Sequence, residues 1–326
     1  MSGVHLLVTG GTGFFGKALL RHWASDPLTE GWRFTLLSRD PEQFRHRHGH
    51  LLAGLDVHLH RSDILDPASF PRDRSITHIL HAATDSTYGL SLAPLARLDQ
   101  IAQGTRNVLE LARELDVKRF LLTSSGGVYG PPPAGMESIP ESWNGMADPL
   151  EPQNAYSVAK RQAEHLCALY HDAYGIEAVI ARCFAFVGED LPLDVHFAIG
   201  NFIRDAMRGL HVTVKGDGLP IRSYMDQRDL ARWLMVLLMQ GQARRPYNVG
   251  SDQPVTIAEL AHVVGRHAGS PQVDILGARP SGQSAMRNLY LPDIGRARAE
   301  LGLDVTIGLD EAIEHTLARL RARVRP

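Results

Sequence analysis

Cysteine is scarce in this chain. Two residues in 326, Cys167 and Cys183, cannot build a disulfide framework and suit a reducing, cytosolic setting. There is no excess of charge of one sign. Lys and Arg total 34 against 36 Asp and Glu, a formal net charge of −2, which excludes a general nucleic-acid binder with a basic face. Long apolar runs are missing too. The longest, around Trp233 to Met239, is far too short to span a bilayer. Residues Met1 to Thr9 show no basic segment leading into a long apolar stretch, so no signal peptide is expected and the protein is expected to be cytoplasmic, with no membrane partner. The run Arg45-His46-Arg47-His48-Gly49-His50 carries no thiolate and reads as a solvated face, so no metal site is expected. Repeats and low-complexity tracts are absent, and Pro131-Pro132-Pro133 reads as a local polyproline-like loop.

What remains is an ordinary globular composition, 44% hydrophobic and 21% charged, with strand-like and helix-like segments in alternation. Short apolar runs at Val4–Val8, Arg33–Leu37, Asp56–Leu59, Thr77–His81, Arg119–Thr123 and Ala178–Ala181 read as strands. Helical periodicity covers Phe14–Ala24, Leu92–Leu115 and Ala155–Tyr174. Such alternation predicts an α/β fold with a Rossmann-like doubly wound parallel sheet. The pattern loosens after Arg182, with a helix at Arg228–Met239, a strand at Tyr247–Val249 and helical ends at Ile294–Leu301 and Asp310–Arg323. The expected division is a dinucleotide-binding domain over 1–182, to which 222–255 returns, and a smaller, mainly C-terminal α/β substrate lobe over 183–326.

Between the first strand and the first helix lies Thr9-Gly10-Gly11-Thr12-Gly13-Phe14-Phe15-Gly16. Glycines at 10, 13 and 16 allow a tight turn, a close approach of backbone to a pyrophosphate and close packing of helix on strand. The helix N-terminus adds N–H donors and a positive dipole end. The second strand then runs into Leu37-Ser38-Arg39-Asp40. An acidic residue at that strand end suits the ribose of NAD, whereas Ser38 and Arg39 suit a 2′-phosphate. NADP(H) is therefore the favoured cofactor, with NAD(H) possible if Asp40 serves the ribose; Arg45 and Arg47 can add positive charge.

Tyr156-Ser157-Val158-Ala159-Lys160 puts a phenol and an ammonium on one face of a helix. An adjacent ammonium favours phenolate and is expected to lower the Tyr156 pKa toward neutrality. Leu122-Thr123-Ser124-Ser125 ends the fifth strand, where a doubly wound sheet meets its ligand. These motifs, with His81-Ala82-Ala83, Gly104-Thr105-Arg106-Asn107, Ser124-Ser125-Gly126-Gly127-Val128-Tyr129-Gly130, Gly216 to Tyr224, Asp229-Leu230-Ala231 and Tyr247-Asn248-Val249-Gly250, occur in the order of the extended short-chain dehydrogenases. The chain most resembles their sugar-nucleotide epimerase/dehydratase/reductase branch over nearly its whole length.

The resemblance implies a site. Ser125 would bond the substrate oxygen, Tyr156 would be the proton donor or acceptor, and Lys160 would hold the nicotinamide ribose. The cofactor would lie along Gly10, Thr12, Gly13, Phe14, Phe15, Gly16, Ser38, Arg39, Asp63, Ile64, His81, Ala82, Ala83, Thr123 and Lys160. Asp63-Ile64 would meet the adenine, and Asn107 would stand behind the site. Substrate would meet Thr84, Ser125, Tyr156, Arg222 and Arg279, the two arginines at the nucleotide diphosphate. The two long helices resemble those of a four-helix homodimer interface.

Two departures narrow the chemistry. The 4,6-dehydratases of this branch carry Thr-Asp-Glu where this chain has Ser125-Gly126-Gly127, and glycine can neither protonate a leaving hydroxyl nor abstract a proton. Ala185 stands where the family has a substrate-touching Asn. A dehydratase is thus disfavoured. The expected function is NADP(H)-dependent reduction of a nucleotide-linked 4-keto-6-deoxyhexose, with hydride to C4 and Tyr156 as general acid. A sugar-nucleotide 4-epimerase with tightly bound NAD(P) is the alternative, and a reductase of a non-sugar ketone the next.

Overall fold

The computed structural model describes residues 3–84, 92–195, 197–269, 272–277 and 288–324. Six strands follow the alternation of apolar runs and helical stretches: β1 His5–Thr9, β2 Arg33–Ser38, β3 Asp56–Arg61, β4 His78–His81, β5 Arg119–Ser125 and β6 Glu177–Cys183. Their sheet has the order β6-β5-β4-β1-β2-β3, continued beyond β6 by the strand Pro246–Val249. Every pairing among β1–β6 is parallel. The order reverses beside β1, so strand ends diverge there, as ligand crevices of doubly wound sheets require. The seven-stranded sheet with its helices is the Rossmann-like α/β architecture expected.

Helices α1 Phe14–Trp23, α2 Pro41–His48, α3 Pro94–Glu114 and α4 Ala155–Tyr174 connect these strands. Strands of a sheet covered on both faces are apolar throughout, and all five residues of β1 are buried. Leu7, Ile79, Phe120 and Ile180 of the sheet pack in one cluster with Ile101, Val108 and Leu111 of α3 and Ala159, Ala163 and Cys167 of α4. That burial holds α4, and with it Tyr156 and Lys160, against the sheet.

The chain divides into two compact units. The first comprises 1–130, 146–183 and 231–247; the second comprises 131–145, 184–230 and 248–326. The second unit is made of short pieces. Phe186–Val187 pairs in parallel with Met225–Asp226. Ile221–Arg222 lies between Val255–Thr256 and Leu289–Tyr290, and Val212–Val214 pairs with Val273–Ile275. Helices Ala198–Met207, Ile257–Ala268, Gly295–Leu301 and Leu309–Val324 complete it. Among the described residues no helix is long and apolar enough to cross a membrane.

Candidate active site

The glycine loop is tight. Gly10 has φ +71°, and a Cβ there would lie 2.7 Å from the Ala82 carbonyl, so the Ala82-Ala83 backbone runs directly against it. A Cβ on Gly16 would lie 1.9 Å from Gly11 O, which fixes how closely α1 starts beside β1. The loop closes with Gly13 N–H donating to Gly10 O at 3.0 Å, and Lys17 N–H donates to Gly13 O at 3.0 Å. Gly13 is the N-cap and offers no side-chain acceptor, and a helix start leaves its first N–H groups without intrahelical partners. An uncapped N-terminus behind a glycine-rich loop fits a pyrophosphate. Thr12, Phe14 and Phe15 are partly buried around it.

At the end of β2, Ser38 is buried and its Oγ accepts from Asp40 N–H at 3.2 Å. Asp40 caps α2, its Oδ1 accepting from Gln43 N–H at 3.0 Å. Arg39 is exposed. The register pairs Ser38 with Arg61 of β3, and Arg61 Nη1 donates to the Arg39 carbonyl at 3.0 Å. Two guanidinium residues thus share this strand end. Arg61 was not singled out from sequence; the clue was its place as the last residue of a strand in step with β2. Arg45 is paired with Glu42 at 2.8 Å, so its charge is already compensated. Arg47 is an exposed residue of α2.

Beyond β3, Asp63 Oδ1 accepts from Leu65 N–H at 2.9 Å. Asn107 of α3 donates to Ile64 O at 2.8 Å, and a Cβ on Gly104 would lie 2.5 Å from Ile64 Cδ1. Asn107 therefore braces the Asp63-Ile64 turn from behind. The His81 ring is buried between Thr9 Oγ1 at 2.7 Å and Thr105 Oγ1 at 3.2 Å. Burial pushes its pKa down to about 3, with Lys160 adding to the effect, so this imidazole is a neutral brace. Thr9 Oγ1 also accepts from Ala83 N–H at 3.1 Å.

Four of the residues expected to act on substrate come together around the end of β5. Ser125 Oγ accepts from Gly127 N–H at 3.1 Å, and its hydroxyl lies near the Tyr156 phenol. Lys160 is buried, donating to Thr84 Oγ1 at 2.7 Å and to Thr123 O at 2.8 Å. Its Nζ lies 5.9 Å from the centroid of the Tyr156 ring. A Cβ on Gly127 would come within 2.8 Å of Ser157 Oγ and 3.3 Å of Ser125 Oγ, so a larger residue there would have to displace the Ser157 hydroxyl.

The expected lowering of the Tyr156 pKa is not what the structure gives. Burial pushes the phenol up to about 12, only partly opposed by the nearby Ser125 hydroxyl and Arg97. Burial also pushes Lys160 down to about 8. The reason is geometric: the ammonium faces Thr84 and Thr123, not the phenol oxygen. Tyr156 holds its proton through the neutral range and can donate it.

Arg222 belongs to the second unit. Its guanidinium donates to Ile221 O at 2.8 Å, Asn288 O at 2.7 Å and Asn288 Oδ1 at 3.2 Å, and lies 5.8 Å from the Tyr290 ring centroid. Burial lowers its pKa, and among the described residues no carboxylate pairs with it. Ala185 accepts from Met225 N–H at 3.0 Å through its carbonyl. Arg279 lies outside the described residues. Among those described, no group of three or more His, Cys, Asp or Glu gathers as for a metal ion.

A doubly wound parallel sheet, a glycine loop at the α1 N-terminus and a Ser-Tyr-Lys cluster at the end of β5 define an enzyme of the extended short-chain dehydrogenase type. The NAD dependent epimerase/dehydratase family matches residues 6–250, and the chain belongs to it. UDP-glucuronic acid decarboxylase 6 of Arabidopsis thaliana is 31% identical over 315 residues, covering 96% of this chain and 87% of that protein. Among solved structures, UDP-glucose 4-epimerase of Thermotoga maritima superposes with a TM-score of 0.83 at 21% identity, over 99% of this chain and 100% of that one. The dTDP-glucose 4,6-dehydratase of Streptomyces venezuelae, solved with NAD bound, gives 0.82 at 25% identity over 98% and 97%.

Proposed function

We propose that this chain is an NADP(H)-dependent reductase of a nucleotide-linked 4-keto-6-deoxyhexose. When bound, the nicotinamide supplies hydride to C4. Tyr156 gives its proton to the emerging alkoxide, and Ser125 stabilises that oxygen by hydrogen bonding. A phenol kept protonated by burial suits donation. Gly126 and Gly127 leave the stretch after Ser125 without the two carboxyl groups that a dehydration needs, so one proton donor and one hydride complete the reaction. The half-buried Arg222, bound among the described residues to neutral groups, suits a diphosphate. The homodimer implied by the resemblance would use α3 and α4, on which Leu95, Leu169 and Tyr174 are exposed.

The observation that carries net reduction is the strand end of β2 and β3. Asp40 is turned to cap its own helix, while Arg39 and Arg61 stand together where a 2′-phosphate would lie. The test is calorimetric titration of cofactor-stripped protein with NADP+ and NAD+ side by side. NADP+ is expected to bind more tightly, and Arg39→Ala or Arg61→Ala to weaken it about 10- to 100-fold while leaving NAD+ little changed, as loss of a charge-assisted hydrogen bond implies. The similarity to sugar-nucleotide epimerases and decarboxylases favours a second reading, a 4-epimerase that returns its hydride. Preference for NAD+, or a cofactor that cannot be stripped, would select it.

A further inference from the structure

Helix α4 presents three polar groups at four-residue spacing, Tyr156, Lys160 and Glu164, and this spacing places them along one face. The function proposed above uses the first two. Glu164 is also largely buried, its side chain 12% exposed, and it meets two different strands. Its Oε1 accepts from Ser124 Oγ of β5 at 2.5 Å and from Arg182 Nε of β6 at 3.0 Å. Its Oε2 accepts from Arg182 Nη2 at 2.7 Å. The guanidinium in turn lies over the ring of Tyr129, 4.7 Å from its centroid. Ser124 is the immediate neighbour of Ser125, and Arg182 precedes Cys183, which the register sets opposite Ser125. One carboxylate therefore joins the catalytic helix to both strands that frame the reacting groups.

We infer that Glu164 is a positioning residue for the Tyr156–Lys160 pair, clamping α4 to Ser124 and Arg182 and holding Lys160 in its charged form. A bidentate buried ion pair costs desolvation that an apolar pair would not, and here that pair stands beside the reacting groups. The groups facing Lys160 show why the charge of Glu164 matters. From β4 comes His81, pushed down to about 3 by burial, and from β6 Cys183, pushed up to about 12 by burial. Tyr156 of α4 stands at about 12, and Thr84 and the Thr123 carbonyl are uncharged. All are neutral near pH 7. Burial drives Lys160 toward the neutral amine; Cys183 and the carboxylate of Glu164 oppose it, and of these two it is Glu164 that carries its charge near pH 7.

The inference rests on the proposed roles of Tyr156 and Lys160, but its test uses neither substrate nor cofactor. The chain has only four lysines, Lys17, Lys118, Lys160 and Lys215. In protein labelled with ε-13C lysine, the Lys160 signal is assigned by its loss in Lys160→Arg and titrated by NMR. A wild-type midpoint near 8 is expected. Glu164→Gln removes the field while keeping the shape, so the midpoint should fall by about one pH unit or more. General loosening would admit water and move it up toward the ordinary lysine value. An unchanged or raised midpoint in folded Glu164→Gln would overturn the inference and leave Glu164 a structural brace. Should that variant not fold, Arg182→Met leaves the carboxylate without its guanidinium and should raise the Lys160 midpoint; no change there would be equally fatal. Cofactor titration decides the proposed function separately, so either can fail alone.

Discussion

The two units solve the problem of order differently. In the first, strands of four to seven residues lie edge to edge and, apart from the edge strand β3, bury nearly every side chain, so packing dictates register. In the second, most strands have two or three residues, too few to specify register by burial. Buried side chains tie backbone to backbone there instead. Asp229 accepts from Thr306 N–H at 2.8 Å, Ile307 N–H at 3.0 Å and Thr306 Oγ1 at 2.7 Å. Asn248 Nδ2 donates to Ile139 O and Asp293 O at 2.8 and 2.9 Å. Gln227 and Asp190 bond each other twice, each at 3.2 Å. A sheet held by apolar area tolerates polar chemistry at its strand ends; a lobe held by polar tethers depends on each of them.

If that contrast is right, the largest effect should come from the sheet. Ile79 of β4 is fully buried in the core shared with α3 and α4. Ile79→Ala should cost about 4 kcal/mol through lost transfer energy and the cavity left behind. Amide exchange measured segment by segment should show lost protection across β1, β4 and β5, the strands paired through it. Loss confined to β4 would mean that the sheet is less cooperative than its packing implies.

Asp229→Ala asks the converse question. It leaves the N–H groups of 306 and 307 without their carboxylate acceptor. A cost of about 2 kcal/mol is expected from the unmade hydrogen bonds. Fast exchange should appear at 305–308 and in the following helix, with β1–β5 unaffected. Equal deprotection of the central sheet would break the distinction between the two units.

The same contrast explains what could be read from sequence. Periodicity located β1–β6, α1, α3 and α4 to within a few residues because burial on two faces writes short, continuous apolar runs. The glycine loop and Tyr156-x-x-x-Lys160 were legible because their spacing is itself the chemistry. Arg61 was hidden, since its meaning depends on the register of β3 against β2. Glu164 was hidden for a like reason: its partners lie on two strands distant in sequence. The phenol pKa was misjudged because spacing shows that Lys160 and Tyr156 share a face, not which way the ammonium turns. In the second unit, helices Ala198–Met207 and Ile257–Ala268 escaped notice among short strands and turns.

One of those helices did carry a local signal. Thr256 and Glu259 form a capping box at the start of Ile257–Ala268: Glu259 N–H donates to Thr256 Oγ1 at 3.1 Å, and Thr256 N–H donates to Glu259 Oε2 at 2.8 Å. The pattern Thr-x-x-Glu before an apolar run is a recognised helix start. Its removal should give the smallest effect of the three, because the cap is exposed and water can replace the lost bonds. Thr256→Ala is expected to cost about 1 kcal/mol, with faster exchange in the first turn of this helix and none in α4. Thr256→Ser, which keeps the hydroxyl, should retain most of the stability. An effect in Thr256→Ala as large as that of Ile79→Ala would show that the second unit depends on its helix starts as heavily as the first does on its core.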